Sequence, residues 1–185
     1  MKLPVKRLAA GRPGRSRINR APSPVLVLAT PWLTVGLASL APSLPVLAPL
    51  PWLPPLGFML FLAWTQVRPG LLPVWAGLPL GAFDDLYSGQ PFGSAILLWS
   101  LAMIAIDLIE ARFPWRSFIT EWLIAAALIA TYLSAGLVLA NLAGGQTPLW
   151  SILPQLLLTI LLYPAAGRLV ALFDRLRLTP FKVVR

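Results

Sequence analysis

Asp84 and Asp85 are adjacent carboxylates at the end of an apolar stretch, where an ionised group is costly and ordinarily faces protein or water. Such a pair serves either as a proton or cation site or as a polar tie between helices. A helix C-terminus carries partial negative charge, so an ionised Asp there requires hydrogen bonds, hydration or a proton. Around the pair, small residues and one carboxylate recur at four-residue steps: Gly81, Asp85, Gly89 and Gly93. Gly81 admits close approach of a neighbouring helix, and Gly89 suits a left-handed C-cap before Pro91. Asp85 is then expected to tie the turn to another helix. The apolar segments hold no Lys, Arg or His to act as a relay, which favours this structural or interface role over proton or cation transfer.

Little other chemistry is available. Cys and His are absent, which removes disulfides, thiolate nucleophiles, Cys/His metal sites and the side chain that titrates nearest neutrality. No phosphate-binding glycine loop, zinc motif or nucleophile elbow occurs. No catalytic, cofactor-binding or metal-ligating residue is therefore expected. Gln155, Thr159 and Tyr163 share one helical face at i, i+4 and i+8, and Thr131 and Ser134 belong to the preceding apolar run. These groups are expected to face the interior, where an interhelical hydrogen bond contributes about 1 kcal/mol; a substrate-lining role is the alternative. Asp107 and Glu110 read as a boundary cluster with Arg112, Arg116 or lipid headgroups.

The elements that must carry these residues are membrane helices. Of 185 residues, 58% are hydrophobic and 11% charged, whereas soluble domains carry about 25% charged residues. A span needs about 20 apolar residues, and the sequence divides into six at about 24–41, 52–67, 71–87, 92–111, 118–142 and 149–167. Together they form an all-α, six-helix membrane bundle over residues 24–167. Residues 1–23 carry seven basic side chains and no acid, broken by Pro and Gly, and read as a disordered basic arm. In residues 168–185, Leu169, Leu172, Phe173 and Leu176 alternate with Arg168, Asp174, Arg175 and Arg177. That pattern predicts a basic amphipathic tail lying along the membrane.

With both ends inside, all fifteen Lys and Arg fall in cytoplasmic segments and none in the three external connections, as the positive-inside bias requires. Trp52, Trp64, Trp115, Trp122 and Trp150 are expected near the interfaces. The net charge of +9 reads as topology and attraction to anionic lipid, and nucleic-acid binding is not expected.

The segment Gly81-x3-Asp85-x3-Gly89-x3-Gly93, in a small chain with a basic start and six spans, resembles the bacterial rod shape-determining MreD family over about residues 25–175. The resemblance implies a non-enzymatic scaffold of the cell-wall elongation machinery in the inner membrane. Its implied partners are an MreC-like protein, the MreB filament, RodA and a class B penicillin-binding protein. It also implies a fold similar to the substrate-binding subunits of energy-coupling-factor transporters. The competing expectation is thus a solute-binding membrane subunit of a vitamin transporter or another small transporter. The long basic arm and the proline-rich first connection depart from the family pattern.

Overall fold

The computed structural model describes residues 20–21, 24–45, 52–113, 117–178 and 182–183, so most of the expected basic arm, and Trp115 and Arg116, lie outside the described residues. Six α-helices follow one another: α1 (Pro24–Ser39), α2 (Leu56–Val67), α3 (Gly77–Asp85), α4 (Ser94–Arg112), α5 (Phe118–Leu142) and α6 (Leu153–Arg177). A two-residue antiparallel ladder pairs β1 (Arg20–Ala21) with β2 (Lys182–Val183).

Among the described residues, four stretches are long and apolar enough to cross a membrane: Val25–Ser43, Ser94–Arg112, Phe118–Leu142 and Leu149–Arg177. The other two helices are shorter than the spans expected at 52–67 and 71–87. At about 1.5 Å per residue, α2 rises about 18 Å and α3 about 14 Å, against about 30 Å of hydrocarbon. Prolines set these limits, with Pro54 and Pro55 preceding α2 and Pro73 preceding the 3-10 turn Val74–Ala76 that leads into α3. Irregular backbone is tolerated at membrane depth where protein covers it. Every residue of α2 from Gly57 to Gln66 is buried, which makes it the central helix of the bundle.

Two prolines lie inside long helices, Pro31 in α1 and Pro164 in α6. Each removes the N–H that would have bonded the carbonyl four residues back. The orphaned carbonyls are those of Val27 and Ile160, and both find a side-chain donor. Arg177 Nη1 donates to Val27 O at 2.8 Å, and Trp122 Nε1 donates to Ile160 O at 3.1 Å. The prolines therefore couple helices: α6 closes on α1, and α5 closes on α6.

These bonds also define two ends. Val27, Arg68, Asp174 and Arg177 meet at one end, through the Arg177 bond and the Arg68–Asp174 ion pair. Ser39, Gly57, Asp84 and Gln155 gather around a cavity at the other. Between them an aromatic cluster fills the core: Phe58 stacks on Tyr132 at 4.2 Å and Phe61 on Trp99 at 5.0 Å between ring centroids.

The structure revises three expectations. No break occurs at residue 168, because α6 runs unbroken to Arg177. Leu169, Leu172 and Leu176 do form an exposed apolar stripe, but Asp174 and Arg177 turn inward and are buried. Trp64 is fully buried, donating to Thr34 Oγ1 at 2.9 Å, and half-buried Trp122 packs against the core. Trp52 and Trp150 are exposed. Thr131 faces outward and bonds its own helix at Ala127 O, since a threonine hydroxyl can satisfy itself on the preceding turn.

Candidate functional site

The four-residue series assembles one joint between α3 and α4. An ideal Cβ on Gly81 would lie 2.7 Å from the Ala95 carbonyl oxygen and 2.8 Å from Ile96 Cα. Gly77, one step earlier, meets α4 in the same way, 2.8 Å from Ser100 N. Both contacts are with backbone, so α3 lies on α4 at a separation that only glycine permits. Gly77 extends the series of small residues by four, a signal present in the sequence that the pattern from Gly81 onward omits.

At the end of this joint Asp85 caps α4. The first turn of a helix leaves backbone N–H groups without intrahelical partners, and the N-cap position here is Gly93, which has no side chain. Asp85 supplies the acceptors from eight residues upstream: Gly93 N–H at 2.9 Å, Ala95 N–H at 2.8 Å and Ile96 N–H at 3.2 Å. The Ser94 hydroxyl donates to Asp85 at 3.3 Å, while the Ser94 N–H bonds the Pro91 carbonyl at 3.0 Å. The carboxylate that sits badly at the C-terminus of α3 is thereby placed at the favourable N-terminus of α4. Reaching back requires a tight turn, and Gly89 and Gly93 take φ of +70° and +99° within it. Pro91 thus acts through its carbonyl.

Asp84 points elsewhere. Its side chain, 6% exposed, lines a cavity of about 230 Å³ at the end of the bundle away from the β1–β2 ladder. The Ser39 and Tyr132 hydroxyls face it, and Ser39 Oγ and Asp84 Oδ1 crowd the position a Cβ on Gly57 would take. Ser39, Gly57 and Tyr132 carry no motif in the sequence and come together only through the fold.

Gln155, Thr159 and Tyr163 lie along one face of α6 toward α2. Gln155 Nε2 donates to Leu53 O at 2.6 Å, and Tyr163 donates to Gln66 Oε1 at 2.8 Å. Gln66 Nε2 in turn donates to Glu121 O at 3.1 Å, tying α2 to α5. Thr159 is fully buried and bonds Gln155 O on its own helix.

At the opposite end Asp174 accepts from Arg177 Nε and from Arg68 Nε, both at 2.8 Å. That pairing raises the pKa of the Arg68 guanidinium above its ordinary value. Arg177 also lies 5.6 Å over the Trp64 ring, a cation–π contact within a buried cluster. Asp107 is exposed near the end of α4, with Glu110 one turn further along. Among the described residues no group of His, Cys, Asp and Glu is placed to hold a metal ion.

The family model described as rod shape-determining protein MreD matches residues 26–170. No curated protein and no solved structure matches the chain, so the expected likeness to energy-coupling-factor subunits is not shown. The matched region holds the whole α3–α4 joint, the polar face of α6 and the proline-linked contacts of Trp122, and the chain belongs to the MreD family.

Proposed function

We propose that this chain is a non-catalytic scaffold of the rod-shape machinery, holding an MreC-like protein, and through it RodA, a class B penicillin-binding protein and the MreB filament, at the bacterial inner membrane. The family match over residues 26–170 carries this reading. Supporting it, polar groups of the interior are engaged in ties between helices: Asp85 to α4, Tyr163 to Gln66 and Arg177 to Val27. A rigid bundle of this kind presents fixed surfaces. On the outward face of α5, Ala130, Thr131, Ser134 and Ala135 line a shallow groove where a partner helix can approach closely.

Six passes with both termini in the cytoplasm fit the charge distribution. The β1–β2 ladder supports the placement of both ends on one side, and the basic arm and tail add attraction to anionic lipid, at about 1 kcal/mol per basic residue near the surface. A solute-binding subunit is the second reading, favoured by the cavity beside Asp84. An affinity tag after Arg185 separates the two. It is expected to be reachable only from the cytoplasmic side and to recover the MreC-like and penicillin-binding partners. Periplasmic exposure of the tag would overturn the orientation, and recovery of an ATP-binding cassette module would overturn the scaffold.

A further inference from the structure

The cavity between α1, α2, α3, α5 and α6 surrounds a carboxylate, and among the described residues no cationic side chain lines it to balance that charge. Asp84 is 6% exposed, and among the described residues no Lys or Arg lines the space. The undescribed residues 46–51, next in chain to its rim, contain no Lys or Arg either. The Ser39 hydroxyl, on a residue only 1% exposed, faces the carboxylate and gives its single proton to it, which leaves the Ser39 oxygen lone pairs as acceptors toward the cavity.

Gln155 uses Nε2 to donate to Leu53, so its Oε1 remains as an acceptor toward the cavity. Pro42, Pro54 and Pro55 supply apolar walls with no N–H to offer. A cavity of about 230 Å³ has room for several waters or a small polar headgroup. Trp52, next in chain to the Leu53 wall, is exposed, and exposed tryptophans mark headgroup level in membrane proteins.

We infer that this cavity seats a primary ammonium group, held by Asp84 with Ser39, Tyr132 and the Gln155 amide as further acceptors. Its source is either a free small amine or the ethanolamine headgroup of a membrane phospholipid. The ammonium supplies three donors, matching acceptors that have no cation of their own. The inference is independent of partner assembly, since a scaffold with an occupied seat and one with an empty seat can both recruit partners.

The test uses the full chain in detergent, titrated with ethanolamine, with glycerol and sodium chloride as controls. Saturable thermal stabilisation by ethanolamine alone is expected. In Asp84→Asn the affinity should fall about tenfold or more, the scale of a lost charge-assisted hydrogen bond. Ser39→Ala should weaken binding several-fold without lowering the melting temperature of the unliganded protein, which keeps the test decisive if Asp84→Asn folds poorly. In nanodiscs, stabilisation by phosphatidylethanolamine over phosphatidylglycerol and phosphatidylcholine identifies the lipid as source, and stabilisation only by added ethanolamine identifies a free amine. The inference is overturned by no saturable effect in either arm, by an equal effect of glycerol or sodium, or by binding unchanged in both variants.

Discussion

Asp85→Leu is expected to destabilise the protein by about 3–5 kcal/mol, because it leaves one buried and two half-buried backbone donors without acceptors at about 1–3 kcal/mol each. The N–H groups of Gly93, Ala95 and Ile96 all depend on this one carboxylate. Leucine occupies similar space, so the loss reflects unsatisfied polar groups and not a cavity. Thermal unfolding in detergent measures the total, and hydrogen exchange should show amides 93, 95 and 96 losing protection first. Asp84→Asn is the control: it changes the adjacent carboxylate but none of these bonds, and α4 should keep its protection. A stability within about 0.5 kcal/mol of wild type for Asp85→Leu, the range of an inert surface change, would contradict the cap.

Gly81→Leu is expected to cost about 3 kcal/mol or more, at or beyond the upper end of ordinary overpacking. The clash is with the Ala95 carbonyl and Ile96 Cα, which are backbone atoms that no rotamer change can move aside. The helices must separate, and separation also withdraws Asp85 from the α4 amides. The double variant Gly81→Leu/Asp85→Leu should therefore cost clearly less than the sum of the singles, the mark of residues acting through one joint. Additive losses would show that the contact and the cap are independent. Gly89→Ala and Gly93→Ala meet open space and differ in kind: they pay only the strain of positive φ, about 1–2 kcal/mol.

The α3–α4 joint was the most legible part of the molecule, because it is local: the residues that make it lie within about two dozen positions, and their spacing carries the geometry. Spans at 92–111 and 118–142 were legible for the related reason that length and hydropathy suffice for a lipid-exposed helix. The central position of α2 was not, since burial by protein and burial by lipid select the same residues. The tail misled for a similar reason. A stripe of Leu169, Leu172 and Leu176 is the same pattern whether the helix lies on a membrane or continues out of one. Only the fold shows Asp174 and Arg177 turned inward, meeting Arg68 and Val27 from over a hundred positions away. Pro31 stands plainly in the sequence, but the donor that answers its orphaned carbonyl comes from 150 positions away. Of the residues lining the Asp84 cavity, Asp84 and Gln155 stood out in the sequence, while Ser39, Gly57 and Tyr132 arrive from three other helices.

The proposed role of this MreD-family chain, holding partners that maintain rod shape with no turnover of its own, requires Asp85 for the holding structure. The most direct measurement is cell shape after depletion of the chain in its rod-shaped host, with re-expression of wild type, Asp85→Leu or Asp84→Asn at matched membrane levels. Depletion is predicted to round the cells, wild type and Asp84→Asn to restore rods, and Asp85→Leu to leave them round. Rods that persist through depletion, or that Asp85→Leu restores fully, would contradict it.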